Sequence, residues 1–135
     1  MNRALAVFYV RLGLPAEAEP YLKQLSENSD DPSVKFSLAR LYVATKRPDT
    51  ALELLKGIAA EQGTPAAAEA RVQMAAILFG NGRRAEAHQQ IDEALSQSKN
   101  NPRALLLKAS FFLEEENPTQ AISVAEAATK ADPDL

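Results

Sequence analysis

The sequence predicts an all-α chain built from four helical hairpins, and three observations carry that reading. The chain's 25 Ala and 17 Leu stand against only 15 Val, Ile and Thr together, a balance that favours helix over sheet. Eight prolines punctuate it, most of them just inside the start of a segment, where the fixed φ and missing N–H of proline suit the first helical position. Between the prolines, apolar residues recur at helical spacing rather than alternating, as in Leu38, Ala39, Leu41 and Tyr42 and then Ala51, Leu52, Leu55, Ile58 and Ala59.

Each helix follows from its own signals. Met1-Asn-Arg before the apolar run Ala4 to Val10 mimics a short secretory leader, but Arg11 cuts the run too early, and the segment reads as an amphipathic helix over 2–12. Gly13-Leu14-Pro15 turns the chain into a second helix, 15–28, with Pro20 in its opening turns where the lost N–H bends it modestly. Asp31-Pro32 is an N-cap followed by an N1 proline and opens 32–45; Lys46-Arg47-Pro48 turns into 48–62. Thr64-Pro65 opens 65–80 in the same way, and Gly80-Asn81-Gly82 leads to 83–98. Asn101-Pro102 opens 102–115, Glu116-Asn117-Pro118 turns into 118–131, and Asp132-Pro133 reads as one more helix start.

The second helix of each pair opens on a small anchor, in Ala16-Glu-Ala18, Asp49-Thr-Ala51, Ala85-Glu-Ala87 and Thr119-Gln-Ala121, and the anchor alanines recur at spacings of 33, 36 and 34. The first helices carry a large residue, a small one, then an aromatic or apolar one three places on: Leu5, Ala6, Tyr9; Leu38, Ala39, Tyr42; Met74, Ala75, Leu78; and Lys108, Ala109, Phe112. Four and seven places after the anchors stand Leu22 and Leu25, Leu55 and Ile58, Ile91 and Ala94, Ala125 and Ala128. Five places before the anchors stand Gly13 and Gly82 in two hairpins and Lys46 and Glu116 in the others. In this pattern the chain resembles the tetratricopeptide repeat (TPR) family, whose unit of about 34 residues folds as a helix–turn–helix. The resemblance spans nearly the whole chain and implies a right-handed α-α superhelical solenoid of four hairpins, units 1–31, 32–64, 65–101 and 102–135, as one repeat domain.

Two departures carry expectations. Lys108 occupies an apolar position, so its stem is expected to snorkel or its helix to rotate. The anchor-to-proline distance is 14, 14 and 15 residues in the first three units and 12 in the last, which predicts second helices a turn longer in the first three. TPR arrays generally finish on an extra polar-backed helix. Here the eighth helix would expose Ile122, Ala125 and Ala128, so the chain reads as an excerpt of a longer array or as one that associates with a second copy through that helix.

Stacked hairpins line a concave surface with their first helices, and the resemblance makes that surface a peptide-binding groove. Its lining would include Val7, Val10, Phe36, Arg40 and Val43, then Val72, Gln73 and Phe79, then Arg103, Leu106, Ser110 and Leu113. Phe36, Val43, Phe79 and Leu113 are the candidate apolar anchors, and Arg40 and Arg103 the candidate holders of a carboxylate or carbonyl. For the two phenylalanines, packing against a neighbouring unit weighs equally. The carboxylate clamp of chaperone-binding TPR domains is not expected, because Val7 stands where it needs asparagine.

Other chemistry is thinly represented. The chain has no cysteine and a single histidine, which removes thiolate metal sites, cysteine nucleophiles and most catalytic triads. His88 has no second ligand at metal spacing and reads as a surface residue. Glu114 to Glu116 reads as a solvated helix end, and Lys46-Arg47 and Arg83-Arg84 as weakly anion-binding turns. A net charge of −3 disfavours nucleic acid, although a nucleic-acid-binding helical repeat akin to pentatricopeptide proteins is one alternative and an architectural self-association module another. No apolar run reaches the roughly 18 residues of a membrane span. The reading is therefore a soluble, non-catalytic protein–protein interaction scaffold with no cofactor or metal, taking a protein or peptide partner whose identity, like the compartment, the sequence does not specify.

Overall fold

The computed structural model describes residues 3–134, the side chains of Arg3, Val10 and Pro15 excepted. Its described residues form eight helices: α1 (Arg3–Arg11), α2 (Pro15–Glu27), α3 (Pro32–Ala44), α4 (Pro48–Ala59), α5 (Pro65–Gly80), α6 (Arg84–Gln97), α7 (Pro102–Glu114) and α8 (Pro118–Ala131). Two compact units divide the chain, Met1–Ala60 and Glu61–Leu135. In the first, α1 pairs with α2 and α3 with α4, and α2 packs on α3; in the second, α5 pairs with α6 and α7 with α8, and α5 and α6 both pack on α7.

Prolines and caps set the openings. The Asp31 carboxylate accepts from Ser33 N at 2.9 Å, Thr64 Oγ1 from Ala67 N at 3.1 Å, and Asn101 Oδ1 from Ala104 N at 3.2 Å. Each satisfies an amide that has no partner within its helix, and each contact is worth about 1 kcal/mol. Pro20 lies inside α2, on its exposed side.

The turn inside every hairpin is the same device. The residue five before the anchor takes positive φ in all four, 73° at Gly13, 62° at Lys46, 80° at Gly82 and 57° at Glu116. The next amide then reaches back to a carbonyl five residues earlier: Leu14 N to Tyr9 O at 2.9 Å, Arg47 N to Tyr42 O at 2.7 Å, Arg83 N to Leu78 O at 2.9 Å and Asn117 N to Phe112 O at 2.8 Å. This is the Schellman closure of a helix C-terminus. Lys46 and Glu116 hold a conformation that glycine would hold without Cβ strain.

Alanine size makes the hairpins close. The anchors Ala18, Ala51, Ala87 and Ala121 are buried, as are their first-helix counterparts Ala6, Ala39, Ala75 and Ala109, so paired helices approach with no side chain between them. Leu55 and Ile91, four residues past their anchors, are fully enclosed and contribute roughly 1.5–3 kcal/mol each by burial. Arg71, 12% exposed, donates from Nη1 to Glu93 at 2.5 Å and to Gln90 at 3.0 Å, tying α5 to α6.

Several sequence expectations are corrected. The second helices of the first three hairpins are not longer than α8: α2, α4 and α6 have 13, 12 and 14 residues and α8 has 14. The additional residues lie in the loops between hairpins instead, most visibly at residues 60–64, where Gly63 turns the chain at φ 84°. Ala128 is fully buried rather than exposed, because two turns past Ala121 it faces α7 with the anchor; Ala125 is half-buried and Ile122 is 59% exposed. Lys108 snorkels: its stem is half-buried and Nζ reaches Asp92 Oδ1 at 2.8 Å.

Candidate functional site: clefts on the first-helix faces

In the first unit, α1 and α3 do not pack on each other, and a cleft of about 450 Å³ opens between them. α2 supplies its floor with Leu22 and Leu25; Ala6 and Val7 of α1 and Val34, Leu41 and Ala44 of α3 form apolar walls. Arg11, Ser37 and Arg40 edge it. Neither arginine has a carboxylate partner among the described residues, and both are exposed. An apolar recess edged by two free guanidinium groups suits an apolar side chain flanked by an acidic group or a main-chain carbonyl.

The second unit fills the corresponding space. Phe79 of α5 stacks on Phe111 of α7, centroids 4.1 Å apart and rings 2° from parallel, and the Arg84 guanidinium lies 4.9 Å from the Phe79 centroid. At the position in register with Phe111 the first unit carries the smaller Leu41, which lines the open cleft there. A shallower depression of about 440 Å³ remains beside the stack, touched by Ala76, Phe79, Arg84, Leu107, Ser110 and Glu114.

The expected groove residues therefore divide. Val7 and Arg40 share the first cleft; Phe79 and Ser110 share the second depression. Val43, Leu106 and Leu113 are exposed, Leu113 at 62%, while Phe36 is half-buried. Arg103 and Gln73 both turn to Glu69, at 3.0 Å each, so that arginine is engaged within its unit. Val72, also expected in the lining, is buried in the core. Val10's side chain lies outside the described residues.

Polar pairs join consecutive hairpins inside each unit. Arg47 donates to both carboxylate oxygens of Glu19, at 3.0 and 2.6 Å, a bidentate arrangement. Its hydrogen bond holds the Glu19 carboxyl below the usual carboxylate value, against a partial opposing effect of burial, and the charges of Arg47 and Lys23 add to the lowering. In the second unit His88 Nε2 meets Glu115 Oε1 at 2.5 Å, and the imidazole packs against Phe79, Phe111 and Phe112 with centroids 5.3–6.5 Å away. His88 is thus not the surface residue that its own helix suggests, and Glu115 is not a solvated one, because each finds its partner across the junction. The arginines at the turns are likewise occupied: Arg47 by Glu19, Arg83 by Glu86 at 2.7 Å and Arg84 by the Phe79 ring.

Among the described residues no cluster of three or more His, Cys, Asp or Glu is placed to hold a metal ion, and no helix is long and apolar enough to cross a membrane. Regular helical hairpins locked by one recurring turn, with recesses between their first helices, define a helical-repeat protein. The chain belongs to the tetratricopeptide repeat family: two models of that family match it, over residues 9–74 and 72–135. Among solved structures it is similar to MamA from MSR-1, at 22% identity, TM-score 0.68, over 96% of this chain and 74% of that one. A second MamA crystal structure matches at 16% identity, TM-score 0.72, over 97% and 76%. YrrB, described as a TPR protein with an unusual peptide-binding site, matches at 21% identity, TM-score 0.69, over 96% and 66%. At these identities the likeness is one of fold, an α-α solenoid of helical hairpins. No curated protein sequence matches the chain.

Proposed function

We propose that the chain is a non-catalytic protein-interaction scaffold that binds a peptide or helix on its first-helix faces, seating an apolar side chain in the cleft between α1 and α3 and an acidic group on Arg40 and Arg11. The cleft carries the reading: seven of its ten lining residues are apolar and its two exposed cations have no carboxylate partner among the described residues, a composition that suits a mixed apolar and acidic ligand. TPR membership and the peptide-binding description of YrrB support it. Val43, exposed on α3, would extend the contact along that helix.

The test is a synthetic peptide array pairing Leu, Ile or Phe with flanking Asp or Glu, the best binder then being titrated by fluorescence anisotropy. A transient partner is expected near 1 μM, about −8 kcal/mol. Arg40→Glu should weaken it about 10- to 100-fold, as loss of a charge-assisted hydrogen bond predicts, with the circular-dichroism melt unchanged because Arg40 is exposed and has no hydrogen-bond or ion-pair partner among the described residues. Equal binding by Arg40→Glu and by Val7→Asp removes the cleft from consideration.

A further inference from the structure

The charge of the first unit is divided between its helices. α1 and α3 together carry four basic residues, Arg3, Arg11, Lys35 and Arg40, and no acidic one, whereas α2 and α4 carry five acidic residues and two lysines. Composition does not impose this division, since the chain's net charge is −3. Arginines elsewhere are occupied: Arg47, Arg71, Arg83 and Arg103 each meet a carboxylate, and Arg84 lies over the Phe79 ring. Among the described side chains, Arg11 and Arg40 are the two arginines with no such partner, and both line the cleft between α1 and α3. No acidic residue lines that cleft, and α2 presents only Leu22 and Leu25 to it.

A single carboxylate matches one of these guanidinium groups and leaves the other without a counter-charge. A phosphoryl group on serine or threonine carries about −1.5 to −2 charges at neutral pH and offers three acceptor oxygens, so one residue answers both arginines through charge-assisted hydrogen bonds. Ser37, also in the lining, donates its hydroxyl to Ser33 O at 3.0 Å and keeps its lone pairs for a peptide N–H. The lining holds no aromatic ring. Unpaired bases therefore find no stacking surface there, which disfavours a nucleic acid as the source of the phosphate, whereas the apolar walls suit a side chain next to a phosphorylated residue.

We propose that the α1–α3 cleft recognises a phosphorylated serine or threonine beside an apolar side chain, with Arg11 and Arg40 sharing the phosphoryl group, so that phosphorylation of the partner switches binding on. The proposal rests on the reading of the cleft as a peptide site and specifies the anionic group that the site takes.

The peptide array is repeated with phosphoserine in place of each Asp or Glu, and the best phosphopeptide is titrated by fluorescence anisotropy beside its glutamate and serine counterparts. At neutral pH the phosphopeptide is expected to bind about 10-fold tighter than the glutamate peptide and about 100-fold tighter than the serine peptide. Lowering the pH to about 5.5 should shrink its advantage over glutamate to about 2- to 3-fold, because the phosphoryl group gains a proton near pH 6 whereas the glutamate side chain, near 4.3, stays ionised. Arg11→Gln and Arg40→Gln should each reduce that advantage and the double variant should abolish it, with unchanged circular-dichroism melts because both side chains are exposed. Lys99→Gln removes the same charge from an exposed turn and should bind like wild type. Equal binding of the phosphoserine and glutamate peptides overturns the proposal while leaving the cleft as a site for carboxylates. An advantage that persists in the double variant, or is lost in Lys99→Gln, overturns it as well. Displacement of the phosphopeptide by oligouridylate or by phosphatidylserine vesicles at a lower phosphate concentration than by unlabelled phosphopeptide assigns the cleft to another class of ligand and overturns it. Failure of every peptide to bind overturns both this proposal and the cleft reading beneath it.

Discussion

Lys46 and Glu116 hold a backbone conformation that costs an L-residue about 1–2 kcal/mol relative to the right-handed helix, and replacing each with glycine measures that cost. Glycine returns roughly 0.5–1 kcal/mol of the gain through the freedom it adds to the unfolded chain, leaving a backbone contribution of about 0.5–1 kcal/mol at either site. Charge then separates the two. Both residues lie just past a helix C-terminus, where a cation is favoured and an anion disfavoured by about 0.3–1 kcal/mol. Glu116→Gly should therefore stabilise by about 1–1.5 kcal/mol at low salt and Lys46→Gly by only about 0–0.5. In about 1 M sodium chloride, where the Debye length is roughly 3 Å, the two should converge on the backbone value. Urea titration reads this as a midpoint rise of about 0.3–0.6 M at unchanged m, taking m near 1.5–2 kcal/mol/M. Gly82→Ala supplies the mirror image: a Cβ there meets no atom within 4 Å, so its loss of about 1 kcal/mol comes from φ alone. If either glycine variant fails to stabilise in high salt, or Gly82→Ala is neutral, positive φ is not what these turns cost, and the equivalence of the four hairpin turns fails with it.

Two further outcomes follow from packing and ionisation. Ala51→Leu forces a large side chain between helices that meet at an anchor with no exposure and should cost at least about 1–3 kcal/mol, read as a lowered urea midpoint; a neutral result means that α3 and α4 are not in close contact at that residue. Glu19 has a folded-state pKa below its ordinary value of 4.5, so the unfolded chain binds the proton more readily; the ion pair stabilises fully above pH 4.5 and the contribution is lost as pH falls through the depressed value. Glu19→Gln should accordingly show a shallower loss of stability with acid than wild type, and parallel acid limbs would remove the Arg47 pairing as a contributor.

The helices were legible because proline, cap and anchor act over a few residues. Asp31-Pro32, Thr64-Pro65 and Asn101-Pro102 mark openings that the structure keeps, since each capping contact spans two or three residues. Loop length was not: whether the residues before Pro65 continue α4 or leave it depends on Gly63 taking positive φ, which composition does not dictate. His88 was misread for a similar reason. Its carboxylate partner is 27 residues away and meets it only once α6 and the α7–α8 turn are packed. The groove positions followed from register, but register does not say which of them find internal partners. Arg40 is free at the edge of the cleft, whereas Arg103 is drawn to Glu69 from the neighbouring helix, and Phe79 finds a ring on α7 to stack upon.

The two polar junctions carry opposite chemistry at one address: an acid reaches forward to a base at Glu19–Arg47, and a base reaches forward to an acid at His88–Glu115. Hairpins of nearly identical shape would otherwise be interchangeable as the chain collapses. Counted from the anchors, the position that receives Glu19 holds Asn117 in the fourth hairpin, and the position that receives His88 holds Thr45 in the second. Each misordering loses a matched pair, which penalises it relative to the native order of hairpins. Shape lets hairpins stack, and the two polar pairs mark which hairpin follows the first and which follows the third.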